Sequence, residues 1–219
     1  MAHPHPSTLL TLILLSTLLL PTHTRQPLSP TDIIDIVEKA NGSQEIIDRV
    51  AGQGDLQGYY RYDTFWKVKK LLEERYPQFV GQDMDFGKSL KNNPIRAFFV
   101  GLEPNDPDAQ KSKSAILIDS SHHAREAVSF EMVLIIMLVE VNSLIKNRPE
   151  SQIYKSTSLL IYPVVNVDGV IAINDNFALQ KDRRKNLRDV GCGVNNPDNG
   201  VDINRNYDIK FDIDRKSTR

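Results

Sequence analysis

The sequence lacks an excess of charge of either sign, because its formal net charge at pH 7 is −1. A chain this close to neutrality has no strong field that would recruit nucleic acid or an anionic membrane, so nucleic-acid binding is not expected. Internal repeats and long low-complexity tracts are also absent. Apolar residues make up 40% and charged residues 25% of the 219 residues, which argues against disorder and suits one globular domain.

An apolar run of transmembrane length is lacking near the N-terminus, where residues 9–20 form an uncharged stretch of only twelve residues. That length is too short to span a bilayer comfortably but fits the apolar core of a secretory signal peptide. A membrane anchor is the alternative, since no Lys or Arg precedes the stretch and residues 21–24 lack the usual pair of small residues. We predict a signal peptide over residues 1–24 and a secreted (extracellular or lumenal) protein, without membrane attachment once the signal is removed.

Cysteine is almost absent, since Cys192 is the only one in the chain. In a secreted protein a lone cysteine indicates a free thiol, an intermolecular bridge or a missing partner. Asn41, Gly42 and Ser43 form a glycosylation sequon, which is usable only on the secretory route.

The remaining chain divides into two unequal parts. Residues 25–56 mix Pro, Gly and Gln with a helical pattern that is too small to bury a core of its own, and they are predicted as an N-terminal extension. Residues 57–219 carry a denser apolar pattern and form the main domain. Its predicted elements are a helix at 63–76 that opens on a capping-type Asp63, a strand at 95–100, a polar turn at 105–113, strands buried on both faces at 115–118 and 159–165, and a helix at 128–145.

The strand at 115–118, the helix at 128–145 and the strand at 159–165 have the spacing of a βαβ unit. Glu131 and Glu140 argue against a membrane span in the helical segment. We therefore predict an α/β fold, with a mixed, largely parallel sheet flanked by helices.

Histidine is scarce after the signal segment, where only His122 and His123 remain. Both follow the predicted strand at 115–118, and ligands of parallel α/β proteins bind at the carboxyl ends of strands. Glu126 lies three positions after His123, so a helical turn would bring imidazole and carboxylate to one side as part of a zinc site. The alternative is a helix N-terminus in which Glu126 complements the helix dipole and His123 is an ordinary surface residue.

Two further polar stretches are the basic run at 181–186 and the stretch at 200–207. Taken individually, each is interpreted as solvated surface. Taken together with His-Ala-Arg-Glu at 123–126, however, the chain resembles the zinc metallocarboxypeptidases of the pancreatic carboxypeptidase A and B superfamily. Tyr-Pro-Val-Val-Asn-Val-Asp-Gly at 162–169 is similar to that family's strand-and-turn signature, with Val167 where Pro is usual. Tyr76-Pro77 and Gly87-Lys88-Ser89 also match, and the resemblance covers about residues 58–212.

The resemblance implies a zinc cofactor, peptide or protein C-termini as partners, and a role for each matching residue. His123 and Glu126 would be metal ligands, whereas His122 need not bind. Arg125 would line the peptide-binding subsites. The roles of the remaining residues are carboxylate binding by Asn204 and Arg205, for which a guanidinium fork is suited, and oxyanion stabilisation by Arg184.

The resemblance also implies missing parts. The family's second histidine ligand, its general-base Glu and a Tyr that closes over substrate lie further downstream, and no histidine follows His123 in this sequence. Lys181 stands where the family often has Arg, and a cysteine near Cys192 often pairs with a later one. We therefore expect a chain truncated at its C-terminus, which lacks the last part of the carboxypeptidase fold, exposes a sheet edge and binds zinc weakly.

Three functions follow as hypotheses. The first is a secreted zinc metallocarboxypeptidase that removes C-terminal residues from peptides and proteins. The second is a non-catalytic secreted module that binds free peptide C-termini through Arg205 and Arg125. The third is a related zinc amidohydrolase that acts on small acylated amino acids. The C-terminal side-chain preference and the oligomeric state are not encoded in any motif of this sequence.

Overall fold

A computed structural model describes residues 26–193 and 195–208. The predicted signal peptide therefore lies outside the described residues. The helices are α1 (Pro30–Lys39), α2 (Ser43–Val50), α3 (Tyr62–Arg75), α4 (Pro107–Ser112), α5 (Ala127–Ile145), α6 (Val167–Asp175) and α7 (Phe177–Gln180). The strands are β1 (Met84–Lys88), β2 (Pro94–Val100), β3 (Ser114–Asp119) and β4 (Thr157–Tyr162), and 3-10 helices span Pro149–Lys155 and Ile203–Arg205.

The four strands form one mixed sheet in the order β1-β2-β4-β3. Strands β3 and β4 are parallel and run in register from Ser114 opposite Thr157 to Asp119 opposite Tyr162, with α5 between them in sequence. This confirms the predicted βαβ unit and the mixed α/β class. The parallel share is smaller than the sequence indicated, because β2 pairs antiparallel with both β1 and β4.

Strand β3 is less buried than its apolar sequence predicts. Ile116 is 47% exposed and Leu117 is 58% exposed, although the pattern indicated burial on both faces. The reason is that β3 has a neighbour on one side only within the described residues, so that its other edge is open. An exposed sheet edge was also the expectation from the family resemblance.

The N-terminal extension packs into the main core. Ile33, Ile34 and Val37 of α1 and Ile46 and Val50 of α2 are fully buried, and the two helices lie against α3 and α5. Asn142 of α5 donates hydrogen bonds from Nδ2 to the carbonyl oxygens of Val37 at 2.7 Å and Ala40 at 3.1 Å, where α1 ends. The backbone N–H of Gly52 donates to Oε1 of the buried Glu131 at 2.7 Å. Residues 26–56 thus share one core with the rest of the described chain.

Two local predictions are corrected. Helix α3 begins at Tyr62 after an N-cap at Arg61, so Asp63 lies within the first turn and accepts a hydrogen bond from Lys67 at 2.7 Å. The stretch predicted as a polar turn at 105–113 contains helix α4, which begins after Asp106. That carboxylate accepts from the first free N–H groups of the helix, which stabilises a helix end that apolar periodicity cannot reveal.

Helix α5 is long and apolar enough to cross a membrane by length and composition alone. Within the fold, 61% of its most apolar window is buried. Its hydrophobic surface therefore serves the protein core, in agreement with the interpretation based on Glu131 and Glu140.

Candidate functional site

The predicted metal motif lies in the turn that joins β3 to α5. The chain reverses after Ser120, where Ser121 adopts a positive φ of 55°. The backbone N–H of Glu126 then donates to the carbonyl oxygen of His123 at 3.1 Å, and Glu126 is the N-cap residue of α5. His123 and Glu126 therefore meet across a turn that precedes the helix, and Nδ1 of His123 lies 2.9 Å from Oε1 of Glu126.

The second ring nitrogen of His123 is held by a buried carboxylate. Nε2 donates to Oδ1 of Asp202 at 3.1 Å, and both side chains are almost completely buried. A carboxylate on one nitrogen of an imidazole orients the ring and leaves the other nitrogen for a metal. Sequence analysis did not assign Asp202 a role, and its position two residues before Asn204 was the only available signal.

Asp202 also binds the arginine that was predicted to act in catalysis. Nε of Arg184 donates to Oδ2 of Asp202 at 2.7 Å, and Nη1 of Arg184 lies 3.8 Å from Oε1 of Glu126. Burial by itself raises the pKa of Asp202, but the hydrogen bonds from Arg184 and His123 outweigh burial and hold this pKa below its usual value. One ionised carboxylate thus links Arg184 to the predicted metal ligand.

The neighbouring arginine of the same basic run is a structural residue. Arg183 is 1% exposed, so a solvated surface is the wrong interpretation for this position. Its Nη1 and Nη2 atoms donate to the carbonyl oxygens of Asn199 and Asn196, each at 2.9 Å, and its Nε donates to Gln180. The guanidinium therefore holds together the irregular segment that leads to Asp202.

The N-terminal end of α6 connects the loops around the site, since the Asn-Val-Asp-Gly stretch interpreted as a turn is in fact the N-cap Asn166 and the first turn of this helix. Nδ2 of Asn166 lies 3.4 Å from the carbonyl oxygens of both His122 and Arg184. The buried Asp168 accepts hydrogen bonds from Ser89 and Asn93 of the loop between β1 and β2. The start of α6 accordingly fixes the positions of the metal motif, of the Arg184 segment and of the β1–β2 loop.

The residues predicted to bind a substrate carboxylate lie directly after Asp202. Asn204 and Arg205 are exposed within the 3-10 helix Ile203–Arg205, which begins where Oδ1 of Asp202 accepts from the N–H of Asn204 at 3.0 Å. Gly200 precedes them with a φ of 133°, and a Cβ there would collide with the carbonyl oxygen of Asn186. Arg125 is also exposed, in the turn between His123 and Glu126.

The residues present fit part of a zinc site. Nδ1 of His123 and Oε1 of Glu126 offer a nitrogen and an oxygen within 2.9 Å of each other. Nε2 of the neighbouring His122 forms a hydrogen bond to the hydroxyl of Tyr207 at 2.7 Å. In the part of the chain that the structure describes, no group of three or more His, Cys, Asp or Glu side chains is arranged to hold a metal, whereas a catalytic zinc usually has three protein ligands.

His123 and Glu126, at the end of a strand in a mixed α/β fold, offer two of the three protein ligands that a catalytic zinc usually has. A family model described as zinc carboxypeptidase matches residues 67–219. Because that match covers more than half of the chain, the protein belongs to the zinc carboxypeptidase family, as its motifs indicated.

Curated relatives support the assignment. The chain is 27% identical to mast cell carboxypeptidase A of Rattus norvegicus over 188 residues, which cover 82% of this chain and 40% of that protein. It is 27% identical to carboxypeptidase B2 of Bos taurus over 183 residues, with 82% and 39% covered. A protein named inactive metallocarboxypeptidase ECM14, from Ajellomyces capsulatus, is 25% identical over 143 residues, with 65% and 22% covered.

Solved structures show the same fold. Thrombin activatable fibrinolysis inhibitor superposes with a TM-score of 0.57 at 25% identity, over 82% of this chain and 41% of that one. Carboxypeptidase A of Helicoverpa armigera gives a TM-score of 0.57 at 23% identity, over 83% and 40%. The chain thus spans about 40% of the length of the carboxypeptidases A and B that it matches.

Proposed function

We propose that this chain carries the metal-binding and C-terminus-recognising part of a secreted zinc metallocarboxypeptidase, which hydrolyses C-terminal residues of peptides and proteins. The observation that supports this most directly is the carboxylate of Asp202, which contacts His123 and Arg184 at once. A carboxylate on the far nitrogen of a histidine is the usual support for a zinc ligand. A surface histidine at a helix N-terminus would need no such buried partner.

His123 and Glu126 are the residues that would hold zinc. A bound zinc ion would supply Lewis acidity, which polarises a carbonyl and lowers the pKa of water. Asp202 keeps the imidazole of His123 fixed and leaves Nδ1 beside Oε1 of Glu126. The ligand pair is therefore organised before a metal arrives, which reduces the ordering required on binding.

Arg184 would stabilise the oxyanion that forms at the scissile carbonyl. Its guanidinium lies 3.8 Å from Glu126, and its Nε is occupied by Asp202, so its remaining N–H groups are held near the ligand pair. A positioned donor of this kind is worth about 10²- to 10³-fold in rate.

Arg205 and Asn204 would bind the free carboxylate of the substrate, and Arg125 would line the subsites for the preceding residues. All three side chains are exposed, as a site for a peptide requires. An arginine can bond both oxygens of a carboxylate, which distinguishes a C-terminus from an internal peptide bond. Protein partners are also proposed, because the similar bovine thrombin-activatable fibrinolysis inhibitor was solved in complex with tick carboxypeptidase inhibitor.

The test combines hydrolysis and binding on one pair of peptides. A peptide with a free carboxylate and its amidated form are incubated with a form of the protein that extends past Arg219, with and without a zinc chelator, and released C-terminal residues are identified by mass spectrometry. We expect release from the free form only, and loss of release on chelation. Release that survives chelation would exclude a zinc mechanism, and turnover of acylated amino acids alone would favour the amidohydrolase.

A non-catalytic module that binds peptide C-termini is the second candidate. Two observations favour it. No three His, Cys, Asp or Glu side chains are grouped for a metal among the described residues. The chain is also similar to a protein named as an inactive metallocarboxypeptidase. This function predicts that the free peptide binds without being cleaved and that Arg205→Ala abolishes binding. Equal affinity for the amidated peptide would exclude it.

A further inference from the structure

Two consecutive histidines hold the two sides of the proposed carboxylate-binding pair. On the N-terminal side of Asn204 and Arg205, Asp202 accepts a hydrogen bond from Nε2 of His123 at 3.1 Å. On the C-terminal side, the hydroxyl of Tyr207 lies 2.7 Å from Nε2 of His122. The pair thus lies between two side-chain contacts that both lead back to the metal motif.

The two contacts differ in burial. His123 and Asp202 are almost completely buried. Tyr207, by contrast, is 52% exposed, and its ring lies 5.9 Å from the imidazole of His122 at an interplanar angle of 52°. About half of Tyr207 is therefore uncovered, and the hydrogen bond to His122 is a specific restraint that the described structure provides on this side.

The side chain of His122 belongs to a segment that is itself well anchored. Its carbonyl oxygen lies 3.4 Å from Nδ2 of the buried Asn166, and the backbone N–H of Asn166 donates to Ser121 at 3.0 Å. The backbone that carries His122 is therefore anchored, whereas the 3-10 helix Ile203–Arg205 is a single short turn. Such a turn has few internal hydrogen bonds with which to keep its own shape.

We propose that His122 is a positioning residue, which holds Asn204 and Arg205 in place through Tyr207. This inference rests on the proposed function of the pair as the site for a substrate carboxylate. Arg205 lies two residues before Tyr207, so an ordered Tyr207 restricts the conformations of the loop before a ligand binds. Ordering in advance removes an entropic cost from binding, and its loss should weaken binding of a free C-terminus about fivefold.

His122 has a role distinct from that of the metal ligands. Adjacent residues in one turn rarely direct both side chains to one point, and Nε2 of His122 is occupied by Tyr207 instead. His122 would act on substrate binding through the loop at 203–207. It would not contact substrate or metal itself.

The test measures loop order and peptide binding separately. Amide hydrogen exchange of residues 203–207 is recorded for the wild type, His122→Ala, Tyr207→Phe and the double variant, without any ligand. We expect faster exchange in each single variant and no further increase in the double variant, with partial recovery in His122→Gln, whose amide can still bond the Tyr207 hydroxyl. Tyr76→Phe is the matched control, because its hydroxyl bonds Glu38 at 2.8 Å and thereby joins the end of α3 to α1, with no recorded contact to residues 203–207.

Peptide affinity is measured on the same proteins. Binding of a peptide with a free carboxylate should weaken about fivefold in His122→Ala and Tyr207→Phe, whereas any binding of the amidated peptide should not change. Unchanged exchange at 203–207, or additive effects in the double variant, would overturn the positioning role. Wild-type protein that binds both peptides equally would instead contradict the proposed function, while the exchange result still decides whether His122 orders the loop.

Discussion

Nε2 of His123 lies 3.1 Å from Oδ1 of Asp202, although the two residues are 79 positions apart in the chain. Both side chains are buried, with 6% and 7% of their surfaces exposed. A buried charge requires a partner, and here the partners of Asp202 are a predicted zinc ligand and a predicted catalytic arginine. The short stretch at 200–207 therefore supports the metal motif as well as the proposed carboxylate site.

Replacement of Asp202 by Asn tests this support. The amide keeps the size of the side chain but loses the negative charge that holds His123 and Arg184. We expect zinc affinity to fall about 10- to 100-fold, as is usual for the loss of a carboxylate behind a histidine ligand. Competition with a chromophoric chelator measures the change. Asp198→Asn, on an exposed part of the same loop, should bind zinc as the wild type does, and an equal loss in both variants would contradict the account.

Arg183 should matter for stability more than its charge suggests. Arg183→Lys keeps the charge, but a single ammonium group cannot reach all four acceptors of the guanidinium, so buried carbonyl groups lose their partners. We expect a loss of about 3 kcal/mol in the free energy of unfolding, measured by urea denaturation. The control is Lys181→Met on an exposed position of the same run, for which a change within about 0.5 kcal/mol is expected.

The N-terminal extension should be an integral part of the fold. Asn142→Ala removes the two hydrogen bonds to the carbonyl oxygens of Val37 and Ala40 and leaves these buried groups without that donor. We expect a loss of about 1–3 kcal/mol in stability, together with faster proteolysis within residues 26–56. The control Gln44→Ala, which loses only an exposed contact to Asp48, should change neither stability nor proteolysis. If Asn142→Ala also changes neither, residues 26–56 are not an integral part of the fold.

Glu38 should contribute to stability only above the acidic range. Burial raises the pKa of Glu38, but hydrogen bonds from Arg75 and Tyr76 outweigh burial, and the pKa is lowered overall. Burial and the hydrogen bond to Glu38 raise the pKa of Tyr76 to about 12. A carboxyl group whose folded pKa is lowered stabilises the fold above its unfolded pKa of about 4.3, and this contribution is lost as the pH falls through the folded value. Glu38→Gln should therefore be less stable than wild type at pH 7, and the difference should shrink below about pH 4. A constant difference between pH 7 and pH 3 would contradict this linkage.

The local part of the site could be predicted from the sequence. His123 and Glu126 are three residues apart, and any turn of that spacing brings them together. The strand at 95–100 and the βαβ unit were also predictable, because their apolar runs are continuous and bounded by polar segments. Strand β1 was not, since Met84–Lys88 is largely exposed and contains a glycine.

The long-range part of the site could not be predicted from residue patterns. Arg183 and Arg184 are adjacent and identical in chemistry, yet one is buried among carbonyl groups and the other bonds Asp202. Which of the two arginines becomes buried depends on the path of the loop, and no local sequence pattern indicates that path. The contact between Tyr207 and His122 is of the same kind, because it joins residues 85 positions apart.

The central claim is that His123 and Glu126 hold zinc with the support of Asp202. The most direct measurement is a zinc titration of the metal-free protein against a chelator of known affinity, with wild type and His123→Ala in parallel. The account predicts one zinc ion per wild-type chain and loss of that binding in His123→Ala. Equal zinc binding by both proteins would contradict the assigned site.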